Sequence, residues 1–399
     1  MKDLFKYFYV IFLVSAILYG STYIGFLSIR QLSTLIMLVL LIRERVVFKV
    51  DKVIKCYFGF LIFFFFSSIN DGVVGTFLKD LVANYFVALV GYQATIVLIT
   101  KYNAEVYLIN TMVGIGVFSS VLTVLQYNGF GIVANIILDS LMIPLTELEF
   151  LERMLESGDI MSNIALSGAF VSPVPNGYYL SLAGVLALYP VIKADNFINK
   201  VFSLVIWALI FYGSFCCQQR LSFVMLIIIS AFVFLILKGH FRYLIYILFF
   251  IGVNWVVSNF DSIDLGRFAS FEDENRKSIY SMGMAYLSDN ILFGGISGFR
   301  EKTGGISPHN LFINALAYSG IFGALFIFYI VIVQLKRCFN FKVLLKPSVL
   351  NIVIMGYLAI TANSLIHNSS IVTGDIYSWV MWGAIVALYK RIGGIKGVG

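Results

Sequence analysis

The sequence predicts an all-α fold, a polytopic membrane bundle of about twelve transmembrane helices. Hydrophobic residues make up 60% of the 399 positions and charged residues only 12%, whereas roughly a quarter of the residues in a soluble globular domain are charged. The apolar residues form long blocks and lack the period-two alternation of a membrane β-barrel. We therefore expect one integral-membrane domain, residues 1–399, that crosses the bilayer with helices.

Twelve apolar segments have roughly the length that a hydrocarbon layer of about 30 Å requires of a helix. The first follows a charged start and continues without a small-residue cleavage site, so we predict a retained helix. In chain order the predicted spans are residues 5–18, 24–42, 54–69, 81–99, 106–125, 177–192, 201–216, 221–237, 243–257, 310–333, 349–362 and 376–389.

Basic residues indicate the orientation, because short cytoplasmic loops carry an excess of lysine and arginine. With the N-terminus in the cytoplasm, the segment after every even-numbered span is basic. We therefore predict a multi-pass protein of the cell inner membrane with both termini in the cytoplasm. The net charge of +7 follows from this topology, so nucleic acid is not an expected partner. The basic residues concerned are Arg43, Arg45, Lys49, Lys52, Lys55, Lys101, Lys193, Lys200, Lys238, Arg242, Lys336, Arg337, Lys342, Lys346, Lys390, Arg391 and Lys396.

Two long loops fall on the predicted outer side, at residues 126–176 and 258–309. Residues 145–156 of the first loop have an amphipathic pattern and are expected to lie on the bilayer surface. The second loop contains a predicted capped helix over residues 273–287, followed by a glycine-rich turn. Residues that act on the outer side should therefore come from these loops and from the neighbouring span ends.

The three histidines differ in their predicted positions. His240 lies in a cytoplasmic turn, where an ordinary loop role is favoured. His367 lies outside, and a lone histidine there has many uses. His309 follows Pro308 at the outer start of the tenth span, so its imidazole can face a wet cavity. On position alone, helix capping is favoured for His309.

Arginines near the outer span ends are the other candidates, because an ionisable group there needs a partner or a polar cavity. Arg220 occupies a very short outer turn, where snorkelling to lipid phosphates and pointing into a central site are equally open. Arg276 has acidic neighbours in sequence, which favours a surface ion pair. Arg267 and Arg300 are weaker candidates in the same loop.

The motifs of several enzyme classes are missing from the sequence. There is no nucleotide-binding glycine fingerprint, no P-loop, no D-x-D cluster and no H-E-x-x-H sequence. The four cysteines include no C-x-x-C pair, so neither a disulfide framework nor a zinc site is indicated. We therefore predict no cofactor and no metal, and a donor that is already activated when it reaches the outer face.

The region around His309 resembles the signature of the bacterial O-antigen ligase and O-antigen polymerase family. His309-Asn310, nine further residues and then Gly320-Ile-Phe-Gly323 give the pattern H-N-x9-G-x-x-G. Upstream, Arg276, the run Asn290-Ile-Leu-Phe-Gly-Gly295 and the pair Gly298-Phe299 are similar to the arginine, helix and glycine-rich turn that precede the histidine in this family.

Two further matches extend the resemblance toward the N-terminus. Gly168-Ala-Phe170 with Pro175-Asn176 is similar to the family motif G-x-F-x-x-P-N, in a stretched form. Arg220 lies where the family has an arginine after the seventh span, although Gln219 and Leu221 replace the serine and glycine often found beside it. The likeness covers about Gly168 to Gly323.

The resemblance implies inverting, metal-independent glycosyl transfer from an undecaprenyl-diphosphate-linked donor on the periplasmic face. Fixed guanidinium groups suit the charge that builds on the departing diphosphate, which makes Arg220 and Arg276 the expected catalytic arginines. A neutral imidazole suits proton removal from the acceptor hydroxyl, which makes His309 the expected base. Asn310, His367 and Arg300 are the expected substrate-binding residues. Gly320 and Gly323 are expected to allow close helix packing.

The acceptor separates the functions within the family. A second lipid-linked repeat unit as acceptor would make the protein an O-antigen or capsular polysaccharide polymerase, the favoured prediction, whereas a lipid A core would make it a ligase. A flippase or other transporter is the alternative from a different class, but transporters place ionisable groups near the bilayer midplane. Membrane lipids and a chain-length regulator complete the expected partners.

Overall fold

The fold comes from a computed structural model, which describes residues 2–20, 22–46, 50–144, 165–193, 196–236, 243, 274–305, 308, 310–365 and 371–392, with the backbone alone for residues 274–280. The described chain is mostly helical, as predicted. Five helices in it are long and apolar enough to cross a membrane. These are Lys52–Asn70, Val74–Tyr102, Glu105–Tyr127, Phe197–Cys216 and Leu311–Cys338. A helical membrane fold is therefore supported, while the number of twelve spans stays a prediction.

The elements are numbered here over the described residues only. The first part contains α1 (Lys2–Leu18), β1 (Tyr23–Ile24), β2 (Leu27–Ser28), α2 (Ile29–Arg43), α3 (Lys52–Asn70), α4 (Val74–Asp80), a π-helical turn (Leu81–Tyr85), α5 (Phe86–Tyr102), α6 (Glu105–Tyr127) and α7 (Gly131–Ser140). The rest contains α8 (Pro173–Ala187), α9 (Tyr189–Lys193), α10 (Phe197–Cys216), α11 (Arg220–Ile236), α12 (Glu274–Asp289), α13 (Ile296–Lys302), α14 (Leu311–Cys338), α15 (Phe341–Leu344), α16 (Val349–Ser364), a 3-10 turn (Ile371–Thr373) and α17 (Ile376–Arg391).

The longer apolar helices overlap predicted spans, with two corrections at span starts. Helices α4 and α7 lie in segments that were predicted to be loops. Residues 24–28 were expected to be helical but belong to a two-stranded antiparallel hairpin that turns at Gly25, where φ is +65°. Helix α8 begins at Pro173, inside the predicted first loop, because proline is favourable in the first turn of a helix. The predicted span 244–257 and the predicted surface helix 145–156 lie outside the described residues.

The chain divides into two compact units. The first comprises Met1–Leu108, Glu272–Asn340 and Thr361–Gly399, and the second comprises Ile109–Phe271 and Phe341–Ile360. The expectation of a single membrane domain stays a prediction. In the second unit, the almost fully buried α8 packs against α10 and α11.

The core of the first unit consists of two helix pairs, α14 with α3 and α17 with α5. Glycines allow the close approach of the second pair. A Cβ on Gly383 would lie 2.8 Å from the Tyr92 carbonyl oxygen, and one on Gly91 would lie 3.1 Å from the Val380 side chain. Trp379 is fully buried within this core, with its ring centroid 4.3 Å from that of Tyr57.

Polar contacts in the first unit join segments that are predicted to lie on the same side of the membrane. At the predicted cytoplasmic ends, Lys101 pairs with Glu44, and Arg391 forms a bidentate ion pair with Glu105 at 2.8 and 2.9 Å. On the predicted outer side, the amide N–H of Ser297 donates to the Asp71 carboxylate at 2.8 Å. The contacts therefore agree with the predicted pairing of segments, while the side of the membrane stays a prediction.

A reporter experiment tests this topology. Tags after Gly399 and beside Lys342 should report the cytoplasm, whereas tags beside Asp159 and Glu274 should report the outside, because the basic segments are retained within the cell. Alkaline phosphatase and fluorescent protein fusions at the four positions provide the measurement. An external signal after Gly399 would contradict the twelve-span prediction and would move His309 away from the outer face.

Candidate functional site

The glycine-rich turn packs against a break in helix α14. Helix α14 leaves the helical conformation at Gly320, where φ is 62° and ψ is −170°. The N–H of Ile321 donates to the Ile291 carbonyl at 2.8 Å, and the N–H of Gly295 donates to the Ala317 carbonyl at 2.9 Å. Hydrogen-bonding groups at the break are therefore satisfied by the turn.

This arrangement, residues 291–295 docked against the break at Gly320, is called the interlock below. A Cβ on Gly320 would collide with the carbonyl of Leu292, and one on Gly294 would collide with the carbonyl of Leu316. Both glycines also have positive φ angles, of 62° and 75°. Gly320 thus does more than the close helix packing that was predicted for it, because it opens the helix to another segment of the backbone.

Two further glycines of this region make room for aromatic rings. A Cβ on Gly298 would lie 2.6 Å from the Cζ atom of Tyr286, and one on Gly283 would collide with the ring of Phe299. Phe299 is completely buried. The pair Gly298-Phe299 therefore packs α13 against α12, which gives a structural reason for this part of the motif.

Replacement of Gly320 by alanine tests the interlock. The substitution imposes a left-handed conformation on a residue with a Cβ and pushes that Cβ into the Leu292 carbonyl. We expect a loss of at least about 2 kcal/mol of stability, the scale of such backbone strain, measured as a lower melting temperature of the purified protein. Gly75→Ala is the matched control, because nothing lies within 4 Å of the added carbon at that position. Equal melting of the two variants would contradict the interlock.

Asn310 connects two parts of the chain that are close in sequence to the predicted outer histidines, His309 and His367. Its Oδ1 atom accepts hydrogen bonds from the N–H groups of Phe312 at 2.9 Å and Ile313 at 3.2 Å, so Asn310 is the N-cap of α14. Its Nδ2 atom donates to the carbonyl of Leu365 at 2.9 Å. His309 precedes Asn310 directly and lies outside the described residues. The capping role considered for His309 is thus filled by its neighbour.

The segment that contains His367, residues 366–370, lies outside the described residues, but both of its flanks are held in place. Leu365 accepts the hydrogen bond from Asn310. After the segment, the hydroxyl groups of Tyr57 and Tyr85 donate to the carbonyls of Ile371 and Val372, each at 2.9 Å. The residues on either side of this segment are therefore hydrogen-bonded to other parts of the first unit.

Arg300 lies on the exposed side of α13, with two polar side chains nearby. The charge of its guanidinium group acts on the Tyr318 hydroxyl and on the half-buried carboxyl group of Asp80. Its role in substrate binding stays a prediction. Arg276 belongs to the first turn of α12, but its side chain is outside the description.

Sequence reasoning missed a group of polar residues that extends from Asp80. The Nδ2 atom of Asn84, in the π-helical turn, donates to Asp80 at 3.3 Å, and its Oδ1 atom accepts a hydrogen bond from Arg30 at 3.1 Å. The charge of Arg30 also acts on Asp375, whose carboxylate caps α17. Asp80 and Asp375 directly precede apolar spans on the predicted outer side, and Arg30 is the second residue of α2. This signal could have identified them, because such groups need polar partners.

The second unit contains Arg220 and Asn176. Arg220 begins α11 and is half-buried. Asn176 is completely buried, and its Nδ2 atom donates to the Thr123 hydroxyl and the Leu166 carbonyl, both at 3.0 Å, while its Oδ1 atom accepts from Ser119 at 2.7 Å. Asn176 is thus a structural residue that holds the segment before α8.

Gly168, in the same G-x-F-x-x-P-N motif as Asn176, and Gln219, beside Arg220, also have structural roles. Gly168 has a φ of +55°, and a Cβ there would lie 2.5 Å from the Thr123 hydroxyl oxygen. Its N–H donates to the side chain of Gln126 at 2.9 Å. Gln219, one of the departures from the family pattern, packs against Gly177. A Cβ added to Gly177 would lie 2.5 Å from the Cβ of Gln219.

The predicted site residues thus fall into separate sets. Arg300 and Asn310 belong to the first unit and Arg220 to the second. In the part of the chain that the structure describes, no three His, Cys, Asp or Glu side chains form a group that could hold a metal ion. Comparison with models of known protein families and with curated proteins found no match for this chain.

Proposed function

We propose that the chain is a membrane glycosyltransferase that polymerises undecaprenyl-diphosphate-linked repeat units of an O-antigen or capsular polysaccharide. The active site would face the periplasm. The observation that carries this proposal is the interlock, in which two motifs that are separate in sequence, the turn at 290–295 and the H-N-x9-G pattern, are joined through their backbones. This packing gives the two motif segments one shared structure, which supports treating them as parts of one signature.

A second observation supports a shared role for the two outer histidines. Asn310 and Leu365, which are joined by a hydrogen bond, lie one and two residues from His309 and His367 respectively. In the proposed site, His309 is the base, and His367 and Asn310 orient the acceptor sugar. The described contacts of Asn310 are structural, so we assign it a positioning role as well.

The proposed reaction is a single displacement with inversion. The acceptor hydroxyl oxygen attacks the anomeric carbon of the donor, its proton passes to the imidazole of His309, and the bond from the anomeric carbon to the phosphate oxygen breaks. The electron pair of that bond leaves with the diphosphate. Arg220 and Arg276 stabilise the resulting charge as fixed donors in a site of low dielectric constant.

Two alternatives use the same residues differently. A ligase would transfer the glycan to the sugar of a lipid A core, and only the acceptor would change. A flippase or other transporter would move the lipid-linked glycan without forming a bond. The charged residues at span ends, including Arg30 and Asp80, favour a site near the membrane surface over a midplane transport site.

Reconstitution tests the proposal. Purified protein in phospholipid vesicles, supplied with lipid-linked repeat units, should form new glycosidic bonds and products with two or more repeats per carrier. Vesicles without protein are the control. Bond formation only after addition of lipid A core would identify a ligase. Movement of the lipid across the vesicle without new bonds would identify a transporter and would overturn the enzymatic assignment.

A further inference from the structure

We infer that a groove between α3 and α14 binds an anionic phospholipid. The groove has a volume of about 560 Å³ and is lined by the side chains of both helices, within the usual range of about 300 to 1,000 Å³ for ligand pockets. Aromatic and aliphatic side chains form nearly all of its wall, and two lysines lie in the first turn of α3. The lining residues include Lys52, Lys55, Cys56, Phe63, Phe326 and Tyr329.

The groove follows from the spacing of residues on one face of α3. Lys55 and Cys56 follow Lys52 by three and four residues, and Gly59 and Phe63 continue the same face at intervals of three and four, so these residues form one stripe along the helix. In the middle of the stripe the side chains are small or missing. A Cβ on Gly59 would lie 2.9 Å from the ring of a phenylalanine on α14, so the two helices pack closely there.

The length of the stripe matches one leaflet of a bilayer. The eleven helical steps from Lys52 to Phe63 span about 16 Å at about 1.5 Å per residue, and half of a hydrocarbon layer of about 30 Å is about 15 Å. One end is cationic and the rest is apolar. This is the charge and length pattern of a phospholipid with its head group at one membrane surface.

The lysines at this end favour an anionic head group. Both are exposed, and neither has an ion-pair partner among the described residues. They belong to the basic segment that is predicted to be cytoplasmic, and the cytoplasmic leaflet carries the anionic lipids. An inner-leaflet phospholipid such as phosphatidylglycerol therefore fits the groove. The inference does not rest on glycosyl transfer, because the two lysines belong to a segment predicted to be cytoplasmic, whereas the active site is proposed at the outer ends of the spans.

Cys56 provides a reporter for the occupied groove. It is half-buried and lines the groove, whereas Cys216, Cys217 and Cys338 are buried free cysteines. In phosphatidylcholine vesicles, a membrane-permeant maleimide should alkylate Cys56 at a measurable rate. Addition of phosphatidylglycerol to the vesicles should slow this reaction at least about fivefold, because the bound lipid covers the thiol. The site of alkylation is identified by mass spectrometry of the intact chain and its peptides.

The variants Lys52→Gln and Lys55→Gln, combined, should weaken the protection. The phosphatidylglycerol content that gives half-protection should rise about thirtyfold, because each lysine near an anionic surface contributes about fivefold. The pair Lys336→Gln and Lys342→Gln removes the same charge from the same predicted side, outside the groove, and should behave as wild type. Leu325→Trp, which fills the groove, should abolish the difference between the two vesicle types.

Three results would overturn the inference. The first is the same alkylation rate with and without phosphatidylglycerol in the wild-type protein. The second is undiminished protection in the Lys52/Lys55 variant, which would indicate a general effect of surface charge. The third is protection by a polyprenyl phosphate but not by phosphatidylglycerol, which would indicate a groove for an isoprenoid carrier. Glycosyl transfer in the reconstituted system can succeed or fail independently of all three.

Discussion

Replacement of His309 by alanine should lower glycosyl transfer by about 10² to 10⁴, the usual contribution of a positioned general base. The loss should appear in turnover, while binding of the lipid-linked donor is retained, because the arginines that would bind the donor diphosphate are unchanged. Turnover is measured in the reconstituted vesicles, and binding is measured with a labelled donor. His240→Ala is the matched control, since His240 is predicted to lie in a cytoplasmic loop.

The surface glycan of a strain that carries His309→Ala distinguishes the candidate functions. A defective polymerase should leave a core capped by a single repeat unit, whereas a defective ligase should leave an uncapped core and polymer retained on its carrier. Wild-type glycan with normal chain lengths in this strain, at normal abundance of the protein, would remove His309 from both enzymatic mechanisms.

The second large effect is expected at the arginines. Arg220→Ala and Arg276→Ala should each be compared with the lysine variant of the same position, because lysine keeps the charge but loses the planar fork of donors. At least one lysine variant should lose nearly as much transfer as its alanine counterpart. The expected loss is about 10² to 10³, the effect of removing one donor that stabilises a transition-state anion.

Arg43 offers the control for this comparison, since it is exposed at the end of α2 that is predicted to be cytoplasmic. Arg43→Ala should leave transfer unchanged. Full activity of both Arg220→Ala and Arg276→Ala, at equal abundance in the membrane, would contradict the catalytic assignment. Arg220 would then be a lipid-facing side chain and Arg276 a member of a surface ion pair.

The helices were the part of the fold that sequence patterns predicted best. The hydrophobic blocks that end near Leu18, Asn70 and Tyr127 are helices with closely similar bounds, because a run of apolar residues of this length has few alternatives in a membrane. The hairpin at residues 23–28 was not predicted. Its residues are as apolar as those of the following helix, and only Gly25 marks the turn.

The candidate site was harder to predict, because its contacts join residues that are far apart in the sequence. Asn310 was expected to bind or orient a sugar, but pattern reasoning could not show that its amide reaches Leu365, 55 residues away. Asn84 and Arg30, 54 residues apart, present the same difficulty. Hydropathy identifies which segments enter the membrane and which residues lie near their ends. The hydrogen-bond partners of those residues on other helices depend on packing that no local sequence pattern contains.

The interlock also has a consequence for how this architecture can be inherited. Its hydrogen bonds join main-chain atoms only, and the three side chains of the turn, those of Ile291, Leu292 and Phe293, are exposed. Selection for this geometry therefore acts on two or three glycines and on their spacing, and the residues between them can be substituted. Distant relatives could keep the same shape while sharing almost no identity, so a search for them should weight the interval from Gly294 to Gly320 above residue similarity.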